Sequence, residues 1–366
     1  MLFFALAGAL GGLYARALSA DATTAALAGD YLRWFVPALA LQFAMVAMAA
    51  ALRGSGNFKP GMVVQTATVI LNMLLAPVLI FGWFTGRPLG VAGAALASFI
   101  AISMGTGWLL LYFLPSEASL RFVPVDWKPQ LRLWGSMLKI GLPAGAEFAL
   151  MGVYLFIVYS ISRPFGSAAQ AGFGIGLRIV QAGFMPVVAL GFAVAPVAGQ
   201  NFGARQPDRV RAAFRSALLL SVCVMLPLTL IAHIAPAAMI RFFSKDAHVV
   251  AVGDQYLQII SWNFVASGII FVSSSMFQAL GNTLPSLISS TFRIVIVAVP
   301  AYLLSRAPGF ELRWIWYLSV VAVALQMILS LALLQREFRL RMDFAPIPAG
   351  LPDERGNDLL GAPEIG

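Results

Sequence analysis

Long apolar runs, each about as long as a bilayer is thick, dominate this chain of 366 residues. About 20 helical residues cross the hydrocarbon core of a membrane. Ten runs come close to that length or exceed it, and they lie at residues 1–17, 31–51, 62–84, 89–114, 140–162, 167–198, 214–240, 256–278, 285–304 and 314–335. Only 11% of the residues are charged, whereas soluble domains have about 25%. The sequence therefore predicts an all-α polytopic membrane protein with about ten transmembrane helices.

A polar turn at residues 52–60 recurs at residues 277–285, which is 225 positions later. Three pairs at the centre of the turns keep this offset: Gly56/Gly281, Asn57/Asn282 and Pro60/Pro285. Six more pairs precede them at the same offset: Ser19/Ser244, Asp21/Asp246, Ala22/Ala247, Ala26/Ala251, Tyr31/Tyr256 and Leu32/Leu257. This pattern indicates an internal duplication. Six predicted spans separate the two turns, an even number, so the repeat is parallel and the halves are related by an axis along the membrane normal.

The loops on the two sides of the predicted spans differ in their content of basic residues. One set contains 13 Lys and Arg residues: Arg53, Lys59, Arg121, Lys128, Arg132, Lys139, Arg205, Arg209, Arg211, Arg215, Arg336, Arg339 and Arg341. The other contains eight: Arg16, Arg33, Arg87, Arg163, Arg241, Lys245, Arg306 and Arg313. Cytoplasmic loops carry the excess of basic residues. We therefore expect a multi-pass protein of the bacterial inner membrane whose C-terminus is cytoplasmic.

The repeat also predicts how the chain is divided. We expect an N-terminal lobe at residues 1–114, a cytoplasmic linker at 115–139, a C-terminal lobe at 140–342 and a disordered cytoplasmic tail at 343–366. The second half has three spans before Ser244, but the first half has only part of one before Ser19. The duplication thus leads us to expect about 90 further residues encoded upstream of Met1. The complete protein would then have twelve helices in two lobes of six.

Four segments resemble one family of transporters. The stretch Asn72–Gly82, followed by Leu89–Ala97, resembles the fifth and sixth helices of MATE (multidrug and toxic compound extrusion) proteins. Gly141–Pro143 resembles the start of their seventh helix, and Ala198–Ala204 resembles the end of their eighth. The likeness runs in family order over residues 1–342, and the chain would begin within the family's third helix.

The resemblance implies a secondary antiporter. Such a protein would export amphipathic or cationic organic compounds in exchange for Na⁺ or H⁺ by rocking-type alternating access. The expected partners are a small-molecule substrate and the lipid bilayer, with no nucleic acid, and we expect a monomer. Two alternatives remain open: a related lipid-linked oligosaccharide flippase, which would favour a more cationic cavity, and a truncated remnant that does not transport.

Charged residues inside the spans are the candidates for ion coupling, because burying charge in a membrane is costly and such residues are usually functional. Glu147 is the only acid well inside a predicted span, and Arg293 lies at similar depth from the same side. The other intramembrane charge is Arg178. The glutamate of many family members falls at Met151 here, one turn after Glu147. The aspartate of a first-lobe proton site falls at Ala76, so that only Asn72 is kept in that motif.

The remaining predicted site residues belong to two groups. The resemblance implies a substrate cavity lined by Tyr154, Met151, Tyr159, Trp262, Arg178 and Arg293. Small residues and prolines at turns and helix ends form the predicted hinge motifs: Gly199, Gln200, Gly203, Gly56, Pro60, Gly281 and Pro285. The sequence contains no P-loop motif, and two histidines with one cysteine cannot form a zinc site. We therefore expect no enzyme activity, no metal site and no cofactor other than the coupling ion.

Overall fold

The computed structural model describes residues 22–83, 86–114 and 130–343, with side chains from residue 26 onwards. In chain order the helices are α1 (Ala22–Gly54), α2 (Phe58–Phe81), α3 (Gly90–Phe113), α4 (Leu131–Ser162), α5 (Ser167–Gly203), α6 (Pro207–Ile234), α7 (Pro236–Arg241), α8 (Ala247–Ile260), α9 (Asn263–Ala279), α10 (Leu284–Leu304) and α11 (Arg313–Arg341). A short 3₁₀ turn at Arg163–Phe165 joins α4 to α5. The all-α prediction is confirmed, and helices cover nine of the ten predicted spans. The predicted span at 1–17 lies outside the described residues, as do linker residues 115–129 and tail residues 344–366.

Two helix boundaries differ from the sequence-based ones. α4 begins at Leu131, nine residues before the predicted start, because no proline or turn sequence interrupts Leu131–Lys139. The predicted span 214–240 ends early, since α6 stops at Ile234 and Pro236 opens the separate short helix α7. Proline at the first position of a helix has no amide hydrogen to donate, so it readily starts a new helix there.

The predicted span 256–278 is not one straight helix. It is built from the end of α8 and the whole of α9, which meet at an angle of 56° around Ser261 and Trp262. Eight described helices are long and apolar enough to cross a membrane, and the bent pair makes up to nine. Many large apolar side chains of these helices, such as Phe156, Leu219 and Ile234, are exposed in the isolated chain. A lipid environment is where such surfaces are stable.

The chain divides into two units, Met1–Leu138 and Lys139–Gly366, and the division falls within α4. In the first unit, α3 packs against α1 and α2. Gly93 lies so close to α2 that a Cβ atom there would fall 2.5 Å from the carbonyl oxygen of Leu79. Small residues allow membrane helices to approach closely in this way.

In the second unit, α5 packs against α6, α8 and α9, while α11 packs against α9 and α10. An aromatic group forms its centre, and Phe173, Tyr256 and Trp316 contact one another with ring centroids 4.8–5.3 Å apart. Such ring pairs stabilise beyond the area they bury. α4 is packed less tightly than the other helices of this unit. Its apolar, membrane-length stretch has a smaller share of buried residues than any other candidate span.

The two repeated turns have the same geometry. In each, glycine adopts a positive φ, 87° at Gly56 and 71° at Gly281, a conformation that residues with a Cβ rarely adopt. The side-chain amide of Asn57 donates to the Tyr112 hydroxyl at 3.0 Å, and that of Asn282 donates to the Glu337 carboxylate at 3.0 Å. Tyr112 and Glu337 are themselves 225 positions apart. The repeat therefore extends to the contact that anchors each turn.

Candidate functional site

Glu147 lies near the middle of α4, and its carboxylate is the centre of a hydroxyl cluster. Oε2 accepts hydrogen bonds from Ser274 Oγ of α9 at 3.0 Å and from Ser286 Oγ of α10 at 2.8 Å. Oε1 accepts a third from Ser290 Oγ of α10 at 3.1 Å. The three serines are buried, whereas Glu147 itself is half-buried. Charge-assisted hydrogen bonds of this kind are stronger than neutral ones, so the cluster stabilises a carboxylate at this depth.

The serines of α10 link this carboxylate to α11. Gln326 Nε2 donates to Ser290 Oγ at 3.1 Å, and Ser330 Oγ lies 3.0 Å from Ser289 Oγ. Among the described residues, Gln326 Oε1 is buried and lacks a hydrogen-bond partner. A buried acceptor without a donor is costly. The group as a whole is thus one carboxylate, several hydroxyls and one amide oxygen that has no partner.

One helical turn beyond Ser290, α10 places Arg293 against α4. The guanidinium carbon lies 5.7 Å from the centre of the Tyr154 ring, within range of a cation–π interaction. Tyr154 OH is in turn 3.1 Å from Ser319 Oγ of α11. Arg293 also interacts electrostatically with Glu147. In the part of the chain that the structure describes, no ion pair within 4.0 Å joins these two charges.

Polar contacts join the first half of α4 to the second unit, whereas Leu155, Val158 and Tyr159 nearer its end pack into an apolar core. Besides the bonds of Glu147 and Tyr154, the carbonyl oxygen of Ile140 accepts a 2.8 Å hydrogen bond from Thr283 Oγ1 of the Gly281 turn. Since α4 buries few side chains, the charge on Glu147 bears directly on how firmly this helix is held.

Hard cations are bound by oxygen ligands, and the site offers these in the Glu147 carboxylate, the serine hydroxyls and Gln326 Oε1. Among the described residues, no group of three or more His, Cys, Asp or Glu residues could hold a metal ion. The oxygen set thus suits Na⁺ or a proton better than a transition metal.

The other predicted cavity residues of the second unit have varied surroundings. Met151 is exposed on α4. Tyr159 packs edge-on against Phe173, with centroids 4.9 Å apart. Trp262 is 62% exposed at the bend between α8 and α9, where its ring contacts that of His233. Arg178 is exposed on α5. The structure thus places Arg293 beside Tyr154, one helical turn from the serine that bonds Glu147. Among the described residues, no hydrogen bond joins Met151, Tyr159, Trp262 or Arg178 to that carboxylate.

Asn72 belongs to the first unit. Its side-chain amide donates to Ser98 Oγ at 2.9 Å and so joins α2 to α3. This is the kind of contact that holds membrane helices together.

The predicted hinge residues lie at helix ends and turns. Gly199, Gln200 and Gly203 form the last turn of α5, after which Arg205 adopts a positive φ of 55° before α6 begins. Pro60 and Pro285 lie in the first turns of α2 and α10, directly after the turns of Gly56 and Gly281. The predicted hinge residues therefore lie where helices end or begin.

Sequence reasoning missed the partners of Glu147. Ser274, Ser286 and Ser290 lie 127 to 143 residues away along the chain, so spacing near Glu147 could not identify them. A usable signal was present, because Ser286, Ser290 and Arg293 follow one another at intervals of four and three and share one face of a helix. Glu337 was also missed, since α11 continues to Arg341, beyond the predicted end at 335.

Comparison with known proteins decides the family. The MatE family model matches residues 1–78 and 143–303, which is more than half of the chain. The chain belongs to the MATE family. The second matched segment includes α8, α9 and almost all of α10, as well as the part of α4 that contains Glu147.

Two curated MATE-family relatives are similar over much of this chain. It is 27% identical over 308 residues to the probable multidrug resistance protein YoeA of Bacillus subtilis, covering 82% of this chain and 66% of YoeA. It is also 27% identical over 259 residues to the probable multidrug resistance protein NorM of Thermotoga maritima, covering 70% of this chain and 55% of NorM. The chain thus spans between about half and two thirds of the length of these relatives.

A solved structure supports the MATE fold. A MOP superfamily transporter from Pyrococcus furiosus aligns with a TM-score of 0.86 at 20% identity, covering 94% of this chain and 76% of the other. The fold of the described residues is therefore that of a MATE transporter, with eight helices able to span a membrane, or nine with the bent pair.

Proposed function

We propose that this MATE-family chain acts in a secondary antiporter that exports amphipathic or cationic organic compounds in exchange for Na⁺ or H⁺. The relatives named as multidrug resistance proteins support export of such compounds. The observation that carries the coupling part of the proposal is the Glu147 carboxylate held by three serine hydroxyls inside the membrane-spanning part of the second unit.

Glu147 is the proposed coupling residue. A carboxylate in a membrane helix is costly unless it has partners, and such residues commonly mark ion pathways. Here three hydroxyl donors and a nearby guanidinium surround the carboxylate. These partners stabilise its negative charge, and the charged oxygens can bind a cation. Asn72, already bonded to Ser98, is the weaker candidate for a ligand.

Coupling would act through α4. In the described structure Glu147 bonds α4 to α9 and α10, whereas little of this helix is buried otherwise. When a cation neutralises the carboxylate, its serine bonds lose their charge assistance and weaken. The attachment of α4 therefore depends on whether the site is occupied, which is what rocking-type alternating access requires.

The basic residues of the loops support the proposed orientation, in which the C-terminus is cytoplasmic and the protein lies in the bacterial inner membrane. We propose that it acts as a monomer, with the substrate and the bilayer as its partners. No enzyme step or organic cofactor enters this mechanism.

The test is transport by the purified protein in liposomes, with ethidium as a fluorescent organic cation. We expect ethidium movement to be driven by an imposed Na⁺ gradient or an imposed pH gradient, and the gradient that works alone identifies the ion. Protein-free liposomes are the control. Equal movement with and without either gradient would contradict antiport, and no movement at all would favour the remnant.

A further inference from the structure

Arg293 is a second charge at the Glu147 site, and it is placed unusually for a guanidinium. Among the described residues its Nε atom is buried without a hydrogen-bond partner. Its guanidinium lies over the face of Tyr154 and does not form an ion pair with the nearby carboxylate. Leaving a buried donor unbonded is costly. Hydrogen bonds to a carboxylate would therefore stabilise the Arg293 guanidinium more than its present contact with Tyr154 does.

The helix geometry puts that carboxylate within reach. Ser290 and Arg293 are three residues apart on α10, so their Cβ atoms are about 5–6 Å apart on the same face. Ser290 Oγ already lies 3.1 Å from Glu147 Oε1. Swinging the flexible arginine side chain by one helical turn, without moving the backbone, would take it from Tyr154 to Glu147. Opposite charges attract strongly where the dielectric constant is low, which favours this movement.

We propose that Arg293 is a tethered cation that competes with the coupling ion for the Glu147 carboxylate, which makes it a specificity-determining residue for coupling. In the empty site the guanidinium pairs with the ionised Glu147 carboxylate, which still accepts hydrogen bonds from its serines. In the occupied site it is displaced onto the Tyr154 ring, where a cation–π contact holds it. This inference rests on the proposed function of Glu147 and adds a mechanism for releasing the ion.

The competition has a definite electrical consequence. Glu147 and Arg293 together carry no net charge, so the empty site is neutral and the site with a bound cation carries one positive charge. Moving an uncompensated charge through a membrane is costly. Arg293 thus lowers the affinity for the coupling cation while it speeds its departure, because the guanidinium replaces the ion as it leaves.

The test is to measure cation binding by purified full-length variants, using Na⁺ in calorimetry at fixed pH and, separately, H⁺ uptake in Na⁺-free buffer. We expect Arg293→Met to bind the coupling cation at a concentration at least ten-fold lower than the unmodified protein does. Arg293→Lys, which keeps the charge, should stay within about three-fold. Arg209→Met is the matched control, because it removes an exposed arginine from α6 that belongs to neither predicted site, and it should leave binding unchanged.

Transport gives a second signature that structural damage would not mimic. In liposomes Arg293→Met should reach half its maximal ethidium transport at a lower cation concentration, yet its maximal rate should fall, since ion release is slowed. If Arg293→Met does not fold, Arg293→Gln, a neutral variant that keeps a donor, takes its place. Unchanged or weaker cation binding in the neutral variant would overturn the inference.

The Glu147→Gln variant distinguishes two outcomes: that Arg293 does not compete with the cation, and that Glu147 is not the coupling site. If it abolishes cation binding while the neutral Arg293 variant binds as before, only the competition is wrong. If Glu147→Gln still binds the cation normally, the proposed coupling site is wrong, and the inference falls with it.

Discussion

At the scale of single residues, the partners of Glu147 determine what its carboxylate can do. Three hydroxyls donate to two oxygen atoms, and the Gln326 amide oxygen has no donor among the residues that the structure describes. Each hydrogen bond to a charged group contributes about 1.5–3 kcal/mol when buried, and half-exposure of Glu147 reduces this. The serines are therefore as much a part of the coupling site as the acid itself.

Removing two of the donors tests their role. We expect Ser286→Ala combined with Ser290→Ala to change the cation concentration that gives half-maximal ethidium transport by about ten-fold. The reason is that the carboxylate then keeps only the hydrogen bond from Ser274. Ser273→Ala is the matched control, since Ser273 is equally buried on α9 but bonds only the carbonyl oxygen of Ile269 in its own helix. An equal effect of the control would show that these serines matter only for packing.

At the scale of helices, the repeated turns offer a comparison within one molecule. Asn57 and Asn282 occupy equivalent places, but their acceptors differ. Tyr112 OH takes part in an exposed contact. Glu337 is buried and is also paired with Arg341, whose Nε lies 2.7 Å from its other oxygen. Since Asn282 lies two residues before α10 begins, this contact helps to position the helix that provides Ser286, Ser290 and Arg293.

The two asparagines should differ in their contribution to stability. Asn282→Ala leaves a buried carboxylate oxygen without its donor, so we expect it to lower the free energy of unfolding by about 1–3 kcal/mol. Asn57→Ala exposes its partner to solvent, and we expect a change within about 0.5 kcal/mol. Thermal unfolding of both variants in detergent makes the comparison. A loss at Asn57 as large as that at Asn282 would refute this account of the anchor.

The bent pair α8–α9 poses a question of topology, because a broken span and a re-entrant loop have similar shapes. We expect a span, in which case cysteines at Lys245 and Leu284 are labelled from opposite sides of the membrane by an impermeant maleimide. Both positions are exposed, whereas the neighbouring Thr283 is buried. Cys223 is exposed and must first be replaced. Labelling of both from the same side would indicate a re-entrant loop.

At the scale of the whole molecule, the sequence predicts the helices better than it predicts their contacts. Apolar runs of membrane length are local signals, and nine of the ten predicted runs are covered by described helices. The bend at Trp262 was missed because no proline or glycine marks it, although Ser261 and Asn263 flank it. Neither the length nor the periodicity of the run 256–278 indicates an angle. The repeated turns were found because glycine, asparagine and proline stand at fixed places, and the structure shows equivalent bonds there.

The site was only half predictable for a physical reason. Glu147 stands out in the sequence because an acid within an apolar run is costly and therefore rare. A serine in such a run costs little and is common. Only the spacing of Ser286 and Ser290 with Arg293 on one helix face sets any of them apart, and no sequence signal marks Ser274. Their role comes from packing of helices distant in sequence, which brings together donors more than 120 residues from the acid.

The central claim is that Glu147 couples transport to a cation, and Glu147→Gln tests it most directly. The substitution keeps the size of the side chain and its hydrogen-bonding capacity but removes its charge. In liposomes we expect ethidium binding to remain within two-fold of the unmodified protein, while ethidium transport driven by the Na⁺ or pH gradient falls at least ten-fold. A Glu147→Gln protein that still transports ethidium at the full gradient-driven rate would contradict the account.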